Sequence, residues 1–104
     1  MIVLYSNKKL KGICTNEDKC RRFRSDLVNG VKRRHNALEV AESLEDLARI
    51  DPLGRWHRLT GNRDGQWSGR LTGNYQIIVE PVLGGMRVVA VEQAVKVLSI
   101  KDYH

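Results

Sequence analysis

Arg55-Trp56-His57-Arg58-Leu59-Thr60-Gly61-Asn62-Arg63-Asp64-Gly65-Gln66-Trp67-Ser68-Gly69-Arg70-Leu71-Thr72-Gly73-Asn74-Tyr75 is the stretch on which the fold of this 104-residue chain turns. Before Gly54 the apolar residues recur at helical spacing, and after it they alternate, which is the period of a pleated strand. Arg55 to Leu59 and Gln66 to Leu71 therefore read as strands joined by a turn from Gly61 to Gly65. Gly73-Asn74 is a hairpin signal leading into a strand from Tyr75 to Glu80. Pro81 and the pair Gly84-Gly85 are expected to end that strand, with further strands over Met86 to Val91 and Val95 to Lys101.

Working back from this block, Met1 to Tyr5 is a short apolar run that reads as a first strand, buried on both faces or pairing centrally. Asn7 is placed to cap a turn carrying Leu10 and Ile13, while Thr15 to Arg24 is polar and basic and fits a loop or a second helical segment. Ser25 or Asp26 can cap a helix whose apolar positions Leu27, Val31, Leu38 and Ala41 keep a seven-residue rhythm, with Arg34 on the missing beat. Gly30 inside that helix costs about 1 kcal/mol relative to Ala, so tertiary packing must support it. Ser43-Leu44-Glu45-Asp46 has capping-box spacing and starts a short turn of helix ending near Ile50, which Asp51-Pro52-Leu53-Gly54 breaks. One strand, two helices and an antiparallel meander make an α+β layout, with the helices on one face of a mostly antiparallel sheet of four to six strands. One domain over residues 1–104 is the expectation for a chain of this length.

A net charge of +6 points to a polyanionic partner: nucleic acid, an acidic protein or anionic lipid. From Met1 to Arg34 there are ten Lys and Arg against three acids, so the basic excess is concentrated early in the chain. A solvated helix face is the plain alternative. No apolar run reaches the roughly 18 residues that span a bilayer, and no leader-like segment is visible, so a cytoplasmic protein without a membrane partner is expected. Cys14 and Cys20 lack CxxC or CxxH spacing and read as free thiols, with no metal site.

The run from His57 to Tyr75, with its Leu-x-Gly-x-Arg-x-Gly-x-Trp-Ser pattern and hairpin, and the terminal Asp102-Tyr103-His104 together resemble the HigB toxins of the RelE-like superfamily. The resemblance in residues covers about the last half of the chain, and the element order agrees over nearly all of it. It implies a RelE-like fold, ribosome-dependent endonuclease activity on messenger RNA, and a cognate HigA-like antitoxin with a helix-turn-helix. Operator DNA is then met only through the antitoxin complex, and no cofactor is implied. Carried over by position, His57, Asp102, Tyr103 and His104 match the catalytic set of that family. Thr60 and Gln76 depart from it, standing where the family often has Lys and usually has Arg, so either Arg63, Arg70 or Arg58 compensates or the activity is weaker than the family would suggest.

Metal-independent RNA cleavage needs a base for the 2′-hydroxyl proton, an acid for the departing 5′-oxygen, and positive charge beside the phosphate. Histidine suits both proton transfers because it titrates at about pH 6.5. His57 and His104 are the expected pair, with neither assigned as acid or base, and they must converge on one pocket ringed by guanidinium groups. Asp102 would act as a base or orient an imidazole, and Tyr103 would stack on a base or donate a proton. Arg63 and Arg70 are candidates for phosphate contact, since a guanidinium can hold two oxygens at once. Arg33 and Arg34 are expected to serve ribosome binding, so that reversing their charge weakens association and leaves the fold intact. His35 reads as a residue at the edge of the helix core, Trp67 as core, and Trp56 as either. Two other readings share the pattern: a ParE-like noncatalytic inhibitor of a topoisomerase, and a basic nucleic-acid-binding module acting with an antitoxin.

Overall fold

The computed structural model describes residues 1–82 and 94–102. Among them are four helices, α1 (Lys8–Thr15), α2 (Glu17–Phe23), α3 (Val28–Val40) and α4 (Leu47–Ile50). Five strands accompany them: β1 (Ile2–Tyr5), β2 (His57–Arg58), β3 (Trp67–Arg70), β4 (Tyr75–Val82) and β5 (Ala94–Asp102). They form one sheet in the order β1-β5-β4-β3-β2, antiparallel except where β1 runs parallel to β5. The α+β layout and the consecutive antiparallel run from β2 to β5 are as the sequence predicts. The helix count is corrected from two to four. The strand expected over Met86 to Val91 lies outside the described residues.

Asn7 caps α1, its side-chain oxygen accepting from the Leu10 N–H at 2.9 Å. The basic stretch after Thr15 is helical because Asn16 repeats the device: its side chain accepts from the Lys19 N–H, Glu17 and Asp18 fill the first turn of α2, and Arg21 and Arg22 fill the last. Neither Ser25 nor Asp26 caps α3. A 3-10 turn over Ser25–Leu27 carries the chain into the helix, and the Asp26 carboxylate is held by the Arg24 guanidinium at 2.9 Å. The seven-residue rhythm does describe the inner face, since Leu27, Val31, Leu38 and Ala41 are buried. Ser43 Oγ accepts from the Asp46 N–H at 3.3 Å, and α4 ends at Ile50 before a 3-10 turn over Pro52–Gly54.

Leu10, Ile13, Val31, Leu38 and Leu47 from the helical layer pack against Ile77, Val79, Val95 and Val97 of the central strands. Each such fully buried aliphatic side chain contributes about 1.5–3 kcal/mol. Gly30 brings α3 against the end of β3: a Cβ built there would lie 2.3 Å from the Leu71 carbonyl oxygen. Packing therefore supports the glycine, as its cost requires. Gly30→Ala is expected to lower stability by about 1–3 kcal/mol despite the gain in helix propensity, because backbone cannot yield as a side chain does. A thermal melt showing an unchanged or higher midpoint would contradict this.

Two strand readings change. β1 lies at an edge, with Ile2 49% and Leu4 43% exposed, rather than centrally. A four-residue apolar run says nothing of its neighbours, and the β5 edge that receives β1 is formed by the far end of the chain. Nor does Pro81 end β4, which runs on to Val82 with Pro81 opposite Val95. β3 reaches only as far as Val79, so beyond it β4 has β5 alone for a neighbour and tolerates a residue without an N–H.

Candidate functional site

Directly opposed residues of neighbouring strands share a face of the sheet. The ladder puts His57 beside Ser68, Ser68 beside Ile78, and Ile78 beside Ser99, which makes one row across β2, β3, β4 and β5. The row two residues along is Arg70, Gln76 and Lys101. Between these rows Gly69, Ile77 and Ile100 point the other way, and Ile77 and Ile100 join the core under the helices. The face away from the helices thus carries His57, Arg70 and Lys101, with Ser68 and Ile78 fully buried at its floor. The Ser68 hydroxyl donates to the side-chain oxygen of Gln76 and ties the two rows together. His57 and Arg70 are diagonal neighbours, about 7–8 Å apart at Cα by ordinary sheet geometry.

His57 is exposed on the two-residue edge strand, and its ring is held by the chain just before it. Arg55 adopts left-handed backbone, φ 46° and ψ 45°, a conformation unfavourable for a residue with a Cβ. The Arg55 carbonyl lies 3.0 Å from His57 Nδ1. A carbonyl only accepts, so Nδ1 carries the proton and Nε2 of the neutral ring keeps its lone pair.

Behind His57 lies a buried ionic cluster. The Trp56 indole N–H donates to Asp51 Oδ2 at 2.9 Å, and Arg34 Nε lies 3.0 Å from the same oxygen. The Arg34 contact is an ion pair whose angle falls short of a hydrogen bond. A second nitrogen, Arg34 Nη1, donates to the Arg70 carbonyl at 3.1 Å. Trp56 fills the space over Gly69 and Gly54, where an added Cβ would meet its ring at 2.6 Å and 2.5 Å. Trp56, left open by the sequence, is therefore core, and the partly buried Trp67 packs against that core.

This overturns the expectation for Arg34. It is 5% exposed, and its guanidinium is committed to Asp51 and the Arg70 backbone, so it does not meet phosphate at the surface. Arg33, next to it, is exposed on the helical layer, away from the His57 face, in an open groove of about 760 Å³ with Glu17 and Asn36. Arg58 is exposed but shares its face with Trp67, and Arg63 is half-buried in the 3-10 turn between β2 and β3. Of the five arginines expected at phosphate, the ladder places Arg70 on the face of His57. Asp102 ends β5 opposite Tyr75, whose ring lies 4.6 Å beneath the Arg24 guanidinium. By the same register Asp102 faces the side opposite to Lys101. Tyr103 and His104 lie outside the described residues, and with them the expected convergence of two imidazoles.

Lys101 is the residue that sequence reasoning missed. The alternation Ser99, Lys101 along the last strand was readable, but its register against β4 was not, and a bulge between Ile78 and Val79 shifts that register within the pair.

The profile of the HigB-like toxins, described as RelE-like toxin of type II toxin-antitoxin system HigB, matches residues 4–91. The chain belongs to this family. No curated protein sequence matches it. Among solved structures this HigB-like toxin is similar to a YoeB/ParE toxin from Agrobacterium tumefaciens, with 16% identity and a TM-score of 0.57 over 100% of both chains. It is also similar to the YoeB-YefM complex from Staphylococcus aureus, with 14% identity and a TM-score of 0.54 over 100% of this chain and 97% of the other. The YoeB dimer from Staphylococcus aureus gives 14% identity and a TM-score of 0.51 with the same coverage. At these identities the likeness is one of fold, and it bears out the RelE-like α+β architecture.

Other titratable groups of the toxin lie in or against its helical layer. The Tyr5 hydroxyl is 2.6 Å from His35 Nε2, and Glu39 lies 3.4 Å from Nδ1 on the other side of the ring. Burial pushes the His35 pKa down, against the raising influence of Glu39, so the ring is neutral near pH 7 and serves packing, as expected of it. Cys14 and Cys20 are buried free thiols whose titration burial pushes upward, to about 12 for Cys14. They stay protonated and are poor nucleophiles. Among the described residues no helix is long and apolar enough to cross a membrane.

Proposed function

We propose that this toxin is a ribosome-dependent mRNA endonuclease that works by metal-independent acid–base catalysis in the cytoplasm. The observation that carries the reading is His57, an exposed imidazole whose Nδ1 is held by the Arg55 carbonyl so that Nε2 of the neutral ring is left to accept a proton, diagonal to Arg70 on the sheet face away from the helices. In the reaction a base removes the 2′-hydroxyl proton, the 2′-oxygen attacks phosphorus, and the bond to the 5′-oxygen breaks as that oxygen receives a proton. His57 and His104 make the proton-transfer pair, with Tyr103 against a base of the RNA, and Asp102, which the register of β5 sets on the other face from His57, is left out of the set. Arg70 lies beside the phosphate, and Arg63 flanks the messenger. Arg33 and the other exposed cations before it meet ribosomal RNA, through contacts that weaken steeply with salt.

Type II toxins act with a neutralising partner, and here that partner is a HigA-like antitoxin with a helix-turn-helix, which brings the complex to operator DNA. A solved structure of similar fold, the YoeB-YefM complex, is itself an assembly of two proteins. The reading is tested by adding the purified chain to ribosomes translating a defined message and mapping the new 5′ ends. Cuts inside the translated frame that disappear when ribosomes are omitted are the expected result. Intact messages beside persistent growth inhibition in cells would favour a noncatalytic toxin instead.

A further inference from the structure

Among the described residues the nuclease reading leaves unused the groove between α1, α2 and α3 and the exposed apolar positions of β1, and of a third feature, the row Arg70, Gln76, Lys101, it uses Arg70 alone. The first two hold nothing that says what would occupy them. The third carries an inference. From the geometry we infer that Lys101 is a second phosphate-binding cation of the site, acting across the sheet from Arg70 on the charge that develops in the transition state.

Lys101 is directly opposite Gln76 on β5, and Arg70 is directly opposite Gln76 on β3. The three side chains share one face, because the residues next to them in the ladder, Ile77 and Ile100, point into the core. Adjacent strands lie about 4.8 Å apart, so the two cations stand about 10 Å apart with an amide between them. That is a span that long Arg and Lys side chains can close around one phosphodiester. Gln76 is turned away from this role, because its oxygen accepts from the buried Ser68 hydroxyl. Lys101 is only partly buried, so its ammonium need not shed its solvation to take part. Glu80, the acid on this face of β4, is opposite Lys96, one strand turn beyond Ile78 and away from the cation row. An ammonium and a guanidinium flanking a crowded phosphate stabilise the equatorial oxygens as charge accumulates there.

The inference rests on the nuclease reading, and removal of the charge at Lys101 tests it. Lys101→Gln is expected to lower kcat for cleavage of ribosome-bound mRNA by about 10- to 100-fold, less than the roughly 10²–10³ contributed by a single preorganised donor because Arg70 remains. Lys101→Arg keeps the rate. Lys101→Met, which keeps the unbranched stem without the charge, loses as much as Lys101→Gln, so the rate follows the ammonium and not the filling of the strand position, a split that a merely structural role for Lys101 would not give. A cleaving wild-type chain whose kcat ignores Lys101→Gln, or a Lys101→Met chain that keeps the rate, overturns the inference alone. A wild-type chain that leaves ribosome-bound messages whole overturns the nuclease reading and this inference with it.

Discussion

Replacing His57 by Ala lowers the rate of mRNA cleavage on the ribosome by about 10²–10⁴-fold, the range that a positioned acid or base contributes. The protein itself is unharmed by the change. His57 is exposed on a two-residue edge strand, and its ring hydrogen bond is to a carbonyl two residues away, so the expected shift in the unfolding midpoint is within the roughly ±0.5 kcal/mol of an ordinary surface substitution. The pairing of a large rate loss with an unchanged melt is what separates chemistry from scaffolding. Single-turnover cleavage with programmed ribosomes gives the rate, and calorimetry gives the melt. A His57→Ala chain that still arrests growth at the wild-type dose would remove the acid–base mechanism, since a noncatalytic inhibitor sharing the fold needs no imidazole there.

Arg34→Ala has the opposite signature. Truncating one partner of a buried ion pair strands the other, and such losses run to about 3–5 kcal/mol. Asp51 would keep the Trp56 indole N–H but lose its countercharge, and the Arg70 carbonyl would lose a donor. Against a total of about 5–15 kcal/mol for a domain of this size, that is a large part of the stability. Urea unfolding should show a much lower midpoint with a similar slope. Arg33→Ala, by contrast, removes an exposed side chain and leaves the midpoint in place, while reducing sedimentation with ribosomes at low salt. Equal midpoints for the two variants would show that the cluster of Arg34, Asp51 and Trp56 adds nothing to the fold. The expectation that both arginines can be reversed without harm fails for Arg34, whose guanidinium is buried against Asp51.

Much of this was legible in local pattern. Asn7 announces α1, the change of period after Gly54 announces the strands, and the Gly30 anomaly announces a close contact that the Leu71 carbonyl supplies. The block from His57 to Tyr75 and the terminal Asp102-Tyr103-His104 together named the family resemblance that the profile match bears out over residues 4–91. Less legible were the elements whose character depends on distant chain. Asp26 looks like a cap until Arg24 takes its carboxylate, and Pro81 looks like a terminus until β3 proves too short to reach it.

By itself the sequence determined the α+β class, the inner face of α3, and the histidine and arginines that belong near the middle strands, because periodicity, capping and turn chemistry act over a few neighbouring residues. Only the tertiary structure decided that Arg34 is a buried strut while Arg70 lies on the sheet face that carries His57, and that Lys101 joins Arg70 across Gln76. Charge burial and strand register are set by what arrives from elsewhere in the chain. Asp51 comes to Arg34 from 17 residues on, and β5 comes to β4 in a register that its own alternation cannot specify.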